Sequence, residues 1–306
     1  MENWDKIKSD ENVKEYIGFL ESNQEVYYIK DFPWVKYQGI LKPAISIPIE
    51  PPLFSLQELQ RLLKRSGTPL LRWSDKFTDK KTEWWWVTAF PPIDIMNLGS
   101  STRNKIRRGN KRCVVKQLKA EWLAENGYQC YSSAYRRYRN ANPANEEIFR
   151  KRLKEKMDKN CFEFWGVFAD NKLAGYCECT LLDKTVSTSV IKYHPDYLRK
   201  YHPGYALTFA VLENYLNRRK LNLVSNGERS IAHDTNIEFF LEQFAFKKQY
   251  CQLNVIYSPL FGLLVKIVYP LRRLIDIIYK LIPINFLHKI AIILRQEKIR
   301  RISYEK

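Results

Sequence analysis

Apolar residues along the chain recur first with helical and then with alternating spacing, and that succession predicts a mixed α and β protein. Val13 to Leu20 has the spacing of a short amphipathic helix, and EVYYI that of a strand. The stretch holding Pro43, Pro48, Pro51 and Pro52 lacks ladder donors, which predicts edge strands or loops. In SLQELQRLLKRSG, Ser55 is placed to cap a helix, Glu58 to close a capping box and Gly67 to end it. TPLLRW and TEWWWVTAF then read as two strands.

The clearest pattern lies further on. The runs FEFWGVFA, KLAGYCECTLL and TVSTSVIKY are separated by Asp170-Asn171 and Asp183-Lys184, turn-forming pairs that predict an antiparallel meander. After His194-Pro195 the loop DYLRKYHPG leads into YALTFAVLENYLNRRK, where Leu207, Val211, Leu212 and Tyr215 keep helical spacing. A strand LNLVS, a helix near NIEFFLEQF and a strand CQLNVIY close the unit, and no internal repeat is present.

Charge changes this picture. The 306 residues carry 51 Lys and Arg against 33 Asp and Glu, a formal charge of +18, which points to phosphate-rich partners or an anionic membrane face. Aromatic residues make up 14% of the chain, a composition that excludes disorder. Much of the charge sits in STRNKIRRGNKRCVVKQLKA, from Ser100 to Ala120, which has no acid. It predicts a basic helix capped by Ser101 or Thr102 and ending near Gly109, followed by a strand CVVKQL. The helix AEWLAENG and helical segments from Tyr131 to Lys159, interrupted at Asn140 to Pro143, come next.

Beyond Pro259 the chain is apolar with a charged stripe. Lys266, Arg273, Asp276 and Lys280 share one helical face, and His288, Lys289, Arg295 and Gln296 another, with Leu, Ile and Val opposite. Such a basic amphipathic pair suits an anionic membrane surface, and its apolar faces suit equally well packing on the domain or on a second subunit. The longest uncharged neighbourhood, Gln249 to Val265, contains Gln, Asn, Ser and Pro and is a poor membrane span. The polar N-terminus predicts no secretory signal, and the six scattered cysteines fit a reducing compartment, so a cytoplasmic or inner-face location is expected. Cys177 and Cys179 share a strand face, but no second Cys/His pair follows at zinc spacing, and no metal site is expected.

The order of these elements resembles the acyl-CoA-binding half of the GNAT superfamily across about residues 160 to 257. The basic helix and the CVVKQL strand resemble the junction of its two-lobed, Fem-type members, which extends the likeness to most of residues 20 to 257. Those members include peptidoglycan aminoacyltransferases and acyl-CoA-dependent N-acyltransferases of envelope sugars. The implied fold class is α+β, a mainly antiparallel sheet flanked by helices in two GNAT-like lobes, followed by the C-terminal amphipathic helices. Its expected division is 1–159, 160–258 and 259–306.

The resemblance also implies site residues. Tyr201-His202-Pro203-Gly204-Tyr205-Ala206 is similar to the family's pyrophosphate loop, matching it at Gly204 and Ala206, with Tyr201 where Arg or Gln is usual. Arg199 and Lys200 lie just before it as shifted cations, and Tyr205 completes the candidate acyl-CoA or acetyl-CoA contacts. The element DTNIEFFLEQFAFKK is similar to the family's Asn-containing helix, with Asn236 at the Asn and Ala245-Phe246 in place of Gly-Phe; it offers no tyrosine as an acid.

Direct aminolysis needs donor and amine held together and one group to take a proton. Glu178, a carboxylate in the otherwise apolar strand KLAGYCECTLL, is the leading candidate base, although strand alternation also accounts for it as a solvent-facing residue. His194 and His233 are alternatives with imidazole pKa values suited to neutral pH. No nucleophile motif is present, which favours direct transfer. The expected acceptor is an amine-bearing envelope sugar or lipid-linked precursor. Aminoacyl-tRNA is the alternative donor, since the basic block suits its backbone as well. A nucleic-acid-binding protein, using Trp84, Trp85 and Trp86 beside basic stretches, and a catalytically silent scaffold are the competing readings.

Overall fold

The computed structural model describes residues 2–137, 142–231, 237–281 and 284–304. Its strands are β1 (Glu2–Asn3), β2 (Val26–Ile29), β3 (Phe32–Tyr37), β4 (Ile40–Pro43), β5 (Ile49–Glu50), β6 (Leu70–Thr78), β7 (Trp84–Ala89), β8 (Val114–Leu118), β9 (Phe162–Ala169), β10 (Lys172–Leu182), β11 (Thr185–Tyr193), β12 (Leu223–Glu228) and β13 (Lys247–Tyr257). Eleven of them form one sheet in the order β2-β3-β4-β6-β13-β7-β12-β11-β10-β9-β8, and β1 pairs with β5 apart from it. All neighbours in the large sheet run antiparallel except β4 with β6 and β11 with β12. The meander β9-β10-β11 is as the turn chemistry predicted, with Asp170, Asn171 and Asp183 at positive φ.

One sheet therefore runs through both expected lobes. Strand β7, from the first third of the chain, is inserted between β12 and β13. The proline-bearing β4 is an interior strand, not an edge: Pro43 is its last residue, and β4 meets β6 only at Leu41 and Leu71, so no ladder donor is missed.

Helices cover the sheet in four places, each burying the face its apolar spacing marked. Helices Glu11–Asn23 and Leu56–Ser66 lay Val13, Leu59, Leu62 and Leu63 on Trp34, Leu41, Leu71 and Trp73. The Ser55–Glu58 capping box and the left-handed Gly67 that bound the second are both present. Helices Ala120–Asn126, Tyr128–Ala134 and Glu146–Lys154 pack on Phe164 and Tyr176. Helix Pro203–Leu212 is apolar on nearly all sides, because β9 and β10 lie beneath it and the basic helix Ser100–Arg112 lies beside it. The C-terminal helix Asn285–Tyr304 seats Ile299 against Leu70, Trp84, Trp86 and Leu253.

Two expectations need correction here. The basic helix does not end near Gly109 but continues to Arg112, and its N-cap is Gly99 instead of Ser101 or Thr102. A Cβ at Gly109 would stand 2.9 Å from the His202 carbonyl oxygen and 3.2 Å from Ala206 Cβ, so glycine is needed there for close helix packing, not for termination. The segment after Pro259 is also not one continuous stripe. Helices Pro259–Val268 and Arg272–Leu281 are separated by a 3₁₀ turn over Tyr269–Leu271, which places Lys266 and Arg273 on different helices.

Candidate functional site

The site grows from one feature of the sheet, the parallel pair β11-β12. The two strands are in register only from Thr185 to Ser187 against Leu223 to Ser225, and β11 then runs on to Tyr193 without its neighbour. At the point of separation Thr188 Oγ1 donates to the Ser225 carbonyl at 3.2 Å, and Asn226 Nδ2 donates to the Thr188 carbonyl at 3.0 Å. Side chains thus replace the ladder where the backbones part, and a gap opens between them.

On one side of the gap lies helix Pro203–Leu212. His202 takes a left-handed φ of 55° and Pro203 starts the helix, so the first turn is set by sequence. Gly204 is buried there, with the rings of Phe240 and Tyr193 at 3.4 and 3.5 Å from where a Cβ would stand. Ala206 is buried against Gly109, and the Tyr205 hydroxyl donates to Gln243 Oε1 at 3.0 Å and accepts from Lys105 Nζ at 3.2 Å. The cations at this helix start come from the neighbouring helix. Burial, then Arg108, Lys105 and Arg112, lower the His202 pKa. Arg112 also donates to the Lys200 carbonyl at 2.5 Å.

Arg199 and Lys200, the expected shifted cations, are exposed, and Lys200 Nζ lies over the Tyr201 ring at 4.7 Å. Tyr201 itself turns away to donate to Asp170, and its carbonyl accepts from Cys113 Sγ at 3.4 Å. Tyr201, where the resemblance would put Arg or Gln, is thus an anchor to the β9-β10 turn. Sequence reasoning missed Lys105, Arg108 and Arg112 as partners of this loop; the signal was a cationic run with no acid, placed one helix earlier.

A slot along this helix reaches from Tyr193 and Thr208 to Val211, Val224 and Leu241, with room for about 10 Å³, less than a small acyl group. On the other face of the sheet a cavity of about 600 Å³ is lined by Tyr37, Tyr131, Tyr135, Phe149, Tyr176, Val190 and Ile237. Its polar wall consists of Arg152, Lys156, Glu178, Lys192 and Asn226. Ile191 lines both spaces and is the wall between them, next to the point where β11 and β12 part.

Glu178 is the expected catalytic residue that the structure brings to this cavity. Lys156 Nζ reaches its Oε2 at 2.5 Å. Burial lowers the pKa of the adjacent Lys192, against the opposing pull of Glu178, and the Lys192 ammonium lies 4.5 Å over the Tyr135 ring. His194 lines neither space. Its ring stands edge-on to Tyr197, 3.7 Å from Asp196, and burial lowers its pKa first, with Arg136 adding to that and Asp196 opposing it. His233 and Asn236 lie outside the described residues. Lys156, Lys192 and Asn226 were missed, because their approach to Glu178 depends on the register of distant segments.

The remaining candidates resolve as structure. Trp84 and Trp86 are buried core residues, and Trp85 is half-buried under Arg229 and Lys248, so this run offers no open stacking platform. The Cys177 and Cys179 sulfurs lie 3.7 Å apart, and their hydrogen bond together with burial pushes the Cys177 thiol well up. Among the described residues no three His, Cys, Asp or Glu side chains are grouped to hold a metal ion.

No protein-family model and no curated protein matches the sequence. Solved structures do match the fold. FemX superposes with a TM-score of 0.57 at 9% identity, covering 82% of this chain and 93% of its own. The L-PGS of Bacillus licheniformis gives 0.53 at 8% identity over 83% and 94%. The C-terminal domain of a lysylphosphatidylglycerol synthetase from Agrobacterium fabrum gives 0.52 at 9% identity over 87% and 93%. With a mainly antiparallel sheet, a parted parallel pair and a helix starting beside the gap, the chain shares its fold with FemX and with these two structures, in line with the fold that the sequence resemblance implied.

Proposed function

We propose that the chain is an N-acyltransferase that moves an acyl group from acyl-CoA to an amine of an acceptor held in the 600 Å³ cavity. The observation that carries this reading is the shared wall at Ile191, with the start of helix Pro203–Leu212 and a narrow slot on one face of the sheet and a roomy polar cavity on the other. The pyrophosphate would lie at the start of helix Pro203–Leu212, near Lys105, Arg108 and Arg112, where the helix dipole and the cations act together. The thioester arm would enter the slot by displacing the Phe240 and Tyr193 rings from Gly204.

In the transfer, the acceptor nitrogen attacks the thioester carbonyl from the cavity side. The new C–N bond forms as the C–S bond breaks, the ammonium proton passes to Glu178, and the CoA thiolate leaves and is protonated from water. Lys156 holds Glu178 in place through the 2.5 Å ion pair, and Tyr37, Tyr131, Tyr135 and Tyr176 give a sugar-bearing acceptor faces to lie on. An envelope sugar or lipid-linked amine is the acceptor class that this wall suits.

A second reading replaces acyl-CoA by aminoacyl-tRNA. It is favoured by Arg107, Arg108, Lys111 and Arg112, four exposed cations along one face of the basic helix, which suit a nucleic-acid backbone. Isothermal titration with acetyl-CoA, CoA and charged tRNA separates the two. Acyl-CoA use predicts saturable binding that Arg108→Glu weakens by about tenfold or more. No binding at millimolar acetyl-CoA, with salt-dependent tRNA binding, would transfer the reading to the tRNA donor.

A further inference from the structure

The two segments of the C-terminal region differ in what their apolar residues do. Helix Asn285–Tyr304 buries Ala291, Leu294 and Ile299, the last against the sheet, and Glu297 takes Tyr257, Arg300 and Arg301 as partners. Helices Pro259–Val268 and Arg272–Leu281 turn theirs outward. Leu260, Leu263, Leu264 and Ile267 follow the i, i+3, i+4, i+7 pattern of a single helix face, and all are more than half exposed. Leu274, Ile277 and Leu281 continue the surface on the next helix. Of the eighteen large apolar side chains that stand exposed among the described residues, ten fall between Leu260 and Phe286, so this is a patch and not scatter.

Cations are set into it. Lys266 and Arg273 are exposed among these residues, and Pro259 to Tyr304 holds nine Lys and Arg against only Asp276 and Glu297. Both acids are paired with arginines, Asp276 with Arg295 and Glu297 with Arg300 and Arg301. A second copy of the chain seated on this face about a two-fold axis would bring like charges together while burying them. An anionic bilayer takes the apolar side chains into its interface and the cations onto its headgroups. Each outer helix has ten residues, about 15 Å, half of a hydrocarbon core, and no helix among the described residues is long and apolar enough to cross a membrane.

We infer that the helix pair Pro259–Leu281 is a membrane-docking surface that lies in the interface of an anionic bilayer, with Asn285–Tyr304 as the layer joining it to the sheet. This stands apart from the transfer reaction, since nothing in it depends on donor or acceptor.

The test is flotation of the full chain with vesicles of phosphatidylcholine alone or mixed with phosphatidylglycerol. Binding is expected with the mixed vesicles. Arg273→Glu, which removes one cation and adds an anion, should weaken it by about thirtyfold, and Leu263→Asp with Ile267→Asp by about a hundredfold. These positions are exposed, so melting curves should not move; if the double variant does unfold, Lys266→Glu serves in its place with the same expected direction. Absence of binding to the mixed vesicles, or equal binding by the variants, would overturn the inference. So would a dimer in sedimentation that Ile267→Asp converts to monomer without any vesicle binding by the parent chain, because the face would then belong to a second copy.

Discussion

The two sides of the gap between β11 and β12 are built on opposite principles. Towards helix Pro203–Leu212 the structure is close-packed: Gly109 and Ala206 let two helices touch, Tyr193 and Phe240 fill the space before Gly204, and the slot has room for about 10 Å³. Towards Glu178 it is open, with about 600 Å³ walled by tyrosines and charges. A donor with a constant nucleotide end can be held by a helix start and fixed cations, while an acceptor needs volume and polar groups for orientation. Under the proposed function the packed side would hold the part common to all donors, and the open side would select the acceptor.

Glu178→Gln removes the proposed proton acceptor and should lower kcat by about 10²–10⁴-fold, leaving acetyl-CoA affinity unchanged in titration. If donor affinity falls with it, the two sides are not separate. Arg108→Glu is the converse variant: it should raise the KM for donor by about tenfold or more and spare the acceptor's KM, as initial rates with each substrate varied will report. Gly109→Val pushes a side chain into the His202 carbonyl and Ala206, so the thermal midpoint should fall by several degrees, corresponding to about 1–3 kcal/mol of overpacking. An unchanged melt would mean the helix contact is looser than its 2.9 Å spacing implies.

The smallest effect concerns pH. Burial and the three cations lower the His202 pKa, so between its folded value and the ordinary 6.5 the unfolded chain holds more protons than the folded one. Stability from this group is complete above pH about 6.5 and declines as pH falls through that value towards the folded pKa. His202→Asn, which tolerates the left-handed backbone, should flatten the acid limb of a stability-against-pH curve. Phosphate at the helix start would offset the cations and raise the His202 pKa, so donor binding should be accompanied by proton uptake in weakly acidic buffer.

Much of the frame was legible because it is written locally. The Ser55–Glu58 box, the Asp170-Asn171 turn and the spacing of Leu207, Val211 and Leu212 each depend on a few neighbouring residues, and each took its expected form. What escaped depends on register between distant segments. Gly109 reads as a terminator until His202 is known to lie against it. Tyr201 reads as a defective phosphate ligand until Asp170 is seen to hold it. Glu178 was found as an oddity in an apolar strand, but Lys156 and Lys192 beside it carried no pattern of their own. At the C-terminus the charged stripes read from the sequence do not say which stretch packs, and it is Asn285–Tyr304 that seats Ile299 on the sheet while the preceding helices turn their leucines and isoleucines outward.

The central claim, that donor and acceptor meet through the gap at Ile191, is tested most directly by a crystal structure of the complex with CoA. The account predicts the pyrophosphate at the first turn of helix Pro203–Leu212, Phe240 and Tyr193 swung away from Gly204, and the thiol between β11 and β12 facing Glu178. CoA bound elsewhere, or a Gly204 slot that stays closed around Tyr193 and Phe240 at saturating CoA, would contradict it.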